Sequence, residues 1–318
     1  MLAVHLEKGR VTVRNARRPE RPEGFALIRL LSAGICRTDL ELQRGYYGFS
    51  GTPGHEFAGE VVGADNPNLL GRRVVGEINL ACGKCEWCRQ GLGRHCPHRR
   101  VLGIVRYPGA FREFLTLPEV NLHILPDSIS IEEAVFIEPL AAACELLDQA
   151  VIPEGTEVAV LGDGKLGLLI AQVFRANRIN ARLFGRHRSK LCIADRAGID
   201  TTLIKRTVPT AAYDWIVEAT GSQDGLRQAI QMVRPRGRIF MKSTVHGTVS
   251  IDTSSVVVNE ITVIGSRCGR FEPAMDLLRA HSINVADMIS DTLPLSQAPR
   301  AFARAADRGV LKVLLNAG

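Results

Sequence analysis

Aromatic residues are scarce in this chain, making up 5% of 318 positions with two tryptophans and four tyrosines. A surface that stacks unpaired bases needs more of them, so the excess of basic side chains does not by itself point to a nucleic-acid partner. No apolar run approaches the roughly 18 residues of a membrane-crossing helix. The first ten residues carry Glu7, Lys8 and Arg10 where a secretion signal would be unbroken and apolar. We therefore expect a cytoplasmic protein with neither a membrane nor a nucleic acid as partner. Repeats and low-complexity tracts are absent too. What is present is an ordinary globular composition, 46% hydrophobic and 23% charged, over a length suited to two domains. The net charge of +7 comes from arginines scattered along the chain, which permit a phosphate-bearing ligand without specifying one.

The first third alternates short β-like runs with glycine and proline, at residues 2–6, 25–35, 57–62, 72–78 and 111–117. Such punctuation predicts a barrel-like β domain. From residue 156 the pattern changes to strand, helix, strand: 157–161, helix 165–176, 181–184, then strands at 214–218, 238–241 and 261–265. Strands separated by helices predict a parallel, doubly wound sheet. Between the halves, residues 130–149 have helical spacing interrupted by Pro139, a natural hinge. The tail offers amphipathic helices and a last strand at 310–315 that returns to the first domain.

Cysteine carries the first chemical signal. Of eight cysteines, Cys82, Cys85, Cys88 and Cys96 fall within fifteen positions, a spacing that closes a tetrahedron of thiolates around Zn²⁺ and leaves no position for substrate. A structural zinc is expected there; the bland alternative is a set of unligated or redox-active thiols. His95 and His98 flank the last cysteine as surface residues. A second constellation is spread over three segments: Gly34-Ile35-Cys36-Arg37-Thr38-Asp39, Gly54-His55-Glu56 and Glu138-Pro139. One sulfur, one imidazole and two carboxylates suit a catalytic zinc with an open position. The third signal is Gly162-Asp163-Gly164-Lys165-Leu166-Gly167, which ends a predicted strand and opens a helix, the context in which glycines let a dinucleotide's pyrophosphate approach a helix amino terminus.

Taken in order and spacing, these segments resemble the zinc-dependent medium-chain dehydrogenase/reductase family, the alcohol and polyol dehydrogenases, over essentially the whole chain. The resemblance implies an α/β protein with a GroES-like β-barrel catalytic domain at residues 1–135 and 272–318. A Rossmann domain with a doubly wound parallel sheet would occupy 136–271, with the active site in the cleft between the two. It implies Cys36 and His55 as catalytic zinc ligands, with Glu56 or Glu138 as the carboxylate. Glu138 stands where polyol dehydrogenases place glutamate. Thr38 would hydrogen-bond the substrate oxygen and Asp39 would orient His55. Two zinc ions per chain follow, one catalytic and one structural. The implied reaction moves hydride between an alcohol and a nicotinamide, with zinc as Lewis acid on the alcohol oxygen. The family's relay histidine is missing, because that position is Glu41, which leaves Glu41, a water chain and direct release to solvent as routes for the proton.

For the cofactor, Gly162, Gly164, Lys165, Leu166 and Gly167 would face the pyrophosphate together with Arg37, while Thr220, in Glu218-Ala219-Thr220-Gly221, lies beside the cofactor. The second strand of the predicted sheet ends in Gly185-Arg186-His187-Arg188, with no carboxylate for a ribose 2′-hydroxyl and two guanidinium groups for a 2′-phosphate. NADP(H) is thus expected over NAD(H). Residues 261–265 resemble the strand through which relatives pair, implying a homodimer or homotetramer. Tyr46, Tyr47, Phe49 and the loop 267–271 are candidate substrate walls. The rivals are a zinc-free quinone or enoyl reductase of the same superfamily, a cofactor-binding relative without catalysis, and a nucleic-acid-binding zinc protein.

Overall fold

The strand Phe25–Gly34 alternates buried and half-buried positions along most of its length. That pattern places one face against a core while its two edges pair. In the computed structural model, which describes residues 1–245 and 248–317, this strand is the axis of a seven-stranded sheet. Glu56–Gly63 runs antiparallel along one side of it, Phe114–Pro118 pairs with its first half, and Lys312–Asn316 pairs with its last residues. The carboxy-terminal strand thus does return to the first domain. Leu2–Glu7 and Arg10–Asn15 form a separate hairpin.

The second unit holds six strands in the order Thr201–Leu203, Ala181–Gly185, Val158–Leu161, Tyr213–Glu218, Val233–Met241, Thr262–Gly265, every neighbouring pair parallel. Val158–Leu161 is buried at each position, as a strand covered by helices on both faces must be. The chain leaves this central strand toward one neighbour and later returns on its other side, the switch point where α/β sheets bind ligands beyond their carboxyl ends.

The two units comprise Met1–Glu138 with the chain from Ile289 onward, and Pro139–Met288. Their first boundary falls at the proline. Helix Ile131–Ala134, opened by a reciprocal capping pair between Ser130 and Glu133, stops, and Ile137–Gln149 begins with Pro139 in its first turn. The second boundary lies later than the expected 272. Helix Phe271–Arg279 and the segment after it stay with the nucleotide unit, because Gln172 donates to the Asn284 carbonyl at 3.2 Å and accepts its N–H at 2.7 Å. Arg196 adds an ion pair to Asp287 at 2.8 Å. Among the described residues no helix is long and apolar enough to cross a membrane.

Candidate metal centre and nucleotide turn

Strand register assembles the first site. Gly34 lies opposite both Glu56 and Leu314. Cys36, two residues past the end of one strand, therefore meets His55 and Glu56 at the start of the next, with Lys312 coming from the third. Cys36 caps the helix Arg37–Gln43. Asp39, fully buried in that helix, ties the parts together: its Oδ2 accepts the Cys36 N–H at 2.8 Å, its Oδ1 accepts the Gly54 N–H at 3.1 Å, and the same Oδ1 stands 3.6 Å from His55 Nδ1. One carboxylate thus fixes the thiol's backbone and the imidazole's orientation.

One ligand atom each from Cys36, His55 and Glu56 lies within 4.8 Å of the others. That spacing fits donors around a single zinc, where each bond is about 2.0–2.3 Å. Among the described residues, His55 Nδ1, which faces Asp39, and Glu56 Oε1 are buried with no partner at hydrogen-bond distance. A buried polar atom is ordinarily satisfied, so the orphan Glu56 Oε1 fits a cation beside the thiol and the imidazole. Burial pushes the His55 imidazolium pKa down, but the neighbouring Asp39 carboxylate and Cys36 thiol outweigh it and hold the group well above the usual value. The other oxygen of Glu56 is taken by the ammonium of Lys312, which has no solvent exposure and sits 5.2 Å over the Phe136 ring. Glu138, half-buried in the first turn of Ile137–Gln149, stands outside the trio that converges. Of the two candidate carboxylates, Glu56 is the one brought to the thiol and imidazole.

Thr38 Oγ1 is 3.9 Å from Cys36 Sγ. Glu41 is held firmly: its Oε1 accepts from Arg37 Nε at 2.7 Å and from Arg44 at 2.8 Å. Tyr47 and Phe49 line a cavity of about 580 Å³ with Thr52, Arg106 and Tyr107.

The cysteine lobe is a second cluster. Cys85 lies 3.4 Å from Cys88 and 3.7 Å from Cys96, and Cys82 lies 3.9 Å from Cys88, sulfur to sulfur. A tetrahedron with Zn–S bonds of about 2.3 Å has edges of about 3.8 Å. Backbone hydrogen bonds from Lys84 and Cys85 bring the Cys82 thiol down to about 6, whereas loss of solvation and hydrogen bonds from its neighbours push Cys88 up to about 12. Without a cation, four such thiols cannot all ionise; with one, they can.

The nucleotide turn follows Val158–Leu161. Gly162 has φ +124°, and a Cβ there would lie 2.5 Å from the Ala219 carbonyl oxygen. A Cβ on Gly164, by contrast, meets nothing within 4 Å. That leaves an open face at the amino end of helix Lys165–Ala176, where a helix end favours an anion. Leu166 and Gly167 continue that helix. Arg186 and Arg188 are exposed, and His187 caps helix Arg188–Arg196. Thr220 is committed to its own network: its hydroxyl donates to Glu218 Oε1 at 2.6 Å, the same oxygen accepting from Ser243 Oγ at 3.0 Å. The sequence left three contributors unassigned. Lys312 was marked only by being a charge in the apolar run Leu311–Leu315, Ser243 carried no local signal, and Asp163 was visible within the glycine motif but had no role.

With this geometry in hand, similarity to known proteins is informative. Residues 22–127 match the family described as Alcohol dehydrogenase GroES-like domain, and residues 166–280 match Zinc-binding dehydrogenase. An L-threonine 3-dehydrogenase of Saccharopolyspora erythraea is 30% identical over 91% of this chain and 91% of its own length. A D-arabitol-phosphate dehydrogenase of Enterococcus avium is 27% identical over 93% of this chain and 91% of its own. Among solved structures, a zinc-binding dehydrogenase of Sinorhizobium meliloti 1021 bound to NADP superposes with a TM-score of 0.90 at 28% identity, covering 99% of this chain and 98% of that one. The GroES-like unit and the Rossmann unit are therefore those of a dehydrogenase, and the zinc-free alternative is not favoured. The chain belongs to the zinc-type medium-chain dehydrogenase/reductase family and is an alcohol oxidoreductase that works with zinc and a nicotinamide cofactor on a small alcohol.

Proposed function

We propose that this enzyme interconverts a polyol and its carbonyl form, with Cys36, His55 and Glu56 holding the catalytic zinc, Cys82, Cys85, Cys88 and Cys96 a structural one, and NADP(H) carrying the hydride. The observation that carries this is the convergence of a thiol, an imidazole and a carboxylate within 4.8 Å of one another, with Glu56 Oε1 buried there and without a hydrogen-bond partner among the described residues. Bound zinc supplies Lewis acidity and bound nicotinamide accepts or returns the hydride. Around them the chain's own residues have separate tasks. Thr38 holds the substrate hydroxyl and takes up its proton. Asp39 keeps His55 in position. Lys312 compensates the charge of Glu56 where water does not reach. Glu41 has its Oε1 engaged by two guanidinium groups, so the proton is taken to leave Thr38 for solvent.

The polyol assignment is supported by likeness to a D-arabitol-phosphate dehydrogenase. The preference for NADP(H) is supported by Gly185, by exposed Arg186 and Arg188, and by likeness to a structure holding NADP. For assembly, among the described residues Thr262–Gly265 has a strand on one side only, and nearby Val257 and Val258 are 74% and 78% exposed. A second copy pairing there gives a dimer. The lobe's thiols suit a reducing cytoplasm.

Elemental analysis of protein purified without chelators tests the metal assignment. Two zinc ions per chain are expected, falling to one in Cys36→Ser. One ion in the wild type after zinc is added back, or two in the variant, overturns it. Activity on simple primary alcohols exceeding that on polyols would overturn the substrate class.

A further inference from the structure

Gly185 closes the strand Ala181–Gly185, the position from which a carboxylate reaches an adenosine ribose. Its lack of a side chain has a steric cause in the structure. A Cβ at 185 would lie 2.5 Å from Asp163 Cβ and 2.6 Å from Asp163 Oδ2. Asp163, the second residue of the Gly-rich turn, reaches across from the neighbouring strand and is 7% exposed. Its Oδ2 accepts the N–H of Arg186 at 2.7 Å and that of His187 at 2.6 Å, and His187 Nδ1 lies 3.1 Å from both of its oxygens.

A carboxylate is thus present at the strand's end, but it belongs to position 163 and its lone pairs face protein. Two backbone donors and an imidazole compensate it, so it is a poor acceptor for a further hydroxyl. The same bonds fix the backbone of 186 and 187 and hold one ring nitrogen of His187 inward. Arg186 and Arg188 flank that point at the start of a nine-residue helix whose amino end favours anions.

We propose that Asp163 sets cofactor choice as a positioning residue: it excludes any side chain at 185, withholds a carboxylate from the ribose 2′-hydroxyl, and pins the turn that presents Arg186, His187 and Arg188 to the 2′-phosphate of NADP(H). This rests on the assignment of the Gly162–Gly167 turn to a nicotinamide dinucleotide with NADP(H) preferred. A consequence is strong coupling between two positions 22 residues apart. Adding a ribose-reading carboxylate at 185 fails while Asp163 is there and succeeds once it is gone.

The test is equilibrium binding of NADPH and NADH to the full-length, zinc-loaded protein, followed by energy transfer from tryptophan to the reduced nicotinamide, in four proteins: wild type, Asp163→Gly, Gly185→Asp and the double variant. Wild type is expected to favour NADPH at least about 10-fold. Asp163→Gly should lose most of that preference by weakening NADPH. Gly185→Asp should weaken both cofactors about 10-fold or more, and the double variant should bind NADH more tightly than wild type does. Should Gly185→Asp not fold, Gly185→Ala adds the Cβ alone. It is expected to weaken both cofactors in the wild-type background and neither in the Asp163→Gly background. If Gly185→Asp alone switches preference to NADH, or if Asp163→Gly leaves the NADPH preference intact, the proposal falls while the cofactor assignment stands. A wild type that favours NADH overturns the cofactor assignment and the proposal together.

Discussion

The two candidate metal clusters of the GroES-like unit are built in opposite ways. Cys82, Cys85, Cys88 and Cys96 belong to one stretch of fifteen residues, so the lobe needs only its own loops to bring four sulfurs within bonding range of one ion. Cys36, His55 and Glu56 are brought together by the pairing of strands, and the lysine that compensates their carboxylate comes from position 312, beyond the whole nucleotide unit. A closed, local cluster makes structure, whereas an assembled one with three protein donors leaves a position for chemistry. The same metal should therefore matter to stability in one place and to turnover in the other.

Removing one ligand from each cluster is the sharpest test of that division. Cys96 is fully buried, so Cys96→Ser puts a hydroxyl in place of the proposed fourth sulfur ligand. Structural zinc contributes on the order of 10 kcal/mol in small domains, as much as a whole fold's net stability. The variant is expected to lose the lobe's ion and to melt at least about 10 °C lower. Cys36→Ser should instead keep the wild-type melting temperature within about 2 °C and lose more than about 10³-fold in kcat/KM, because the hydroxyl's proton is no longer acidified in the site. Equal melting temperatures for Cys96→Ser and wild type, or near-normal turnover in Cys36→Ser, would break the contrast.

A smaller effect probes Lys312. Lys312→Met keeps the length of the side chain and strands the buried Glu56 without its counter-charge, a loss of about 3–5 kcal/mol in metal-free protein. Zinc at Glu56 replaces the missing positive charge, so unfolding of the zinc-loaded variant should recover much of that difference. Denaturant melts with and without zinc measure it. Equal destabilisation in both would mean that Lys312 acts through packing over Phe136 and not through charge.

How much of this was legible in the sequence follows the same line between local and assembled. The alternation in Phe25–Gly34 and the strand–helix rhythm after residue 156 are local patterns, and both sheets are where they point. Arg10–Asn15 was not anticipated because no residue in it is fully buried, so its strand character comes from the hairpin partner alone. The late boundary at Ile289 depends on Gln172 reaching Asn284, a contact 112 residues long that leaves no periodic trace. The four-cysteine lobe was readable from spacing. That Glu56 comes to the thiol and imidazole was not, since it depends on Gly34 pairing with Glu56. Likewise the glycine at 185 is visible in the sequence, whereas its steric cause at Asp163 needs the two strands side by side.

The mildest test concerns what fastens the lobe to the barrel. Glu77 follows the strand Arg73–Gly76 and lies 3.3 Å from Arg94, in the lobe's last turn, and 3.7 Å from His123. Burial pushes its carboxyl pKa up, but the hydrogen bonds and charges of His123 and Arg94 outweigh this and hold it below the usual carboxylate range. A carboxyl lowered by folding stabilises fully above its unfolded pKa, and that contribution is lost as pH falls through the folded value. For a partly exposed pair the contribution is about 1 kcal/mol. Glu77→Gln should therefore melt slightly below wild type at neutral pH, and the two curves should converge as the medium is acidified below about pH 4. Because Arg94 sits beside Cys96, the variant should also surrender zinc to a chelator sooner from the lobe than from Cys36, His55 and Glu56. Equal rates of release from the two sites would show that each cluster holds its ion independently of this tether, and that the local site needs nothing beyond its own four sulfurs.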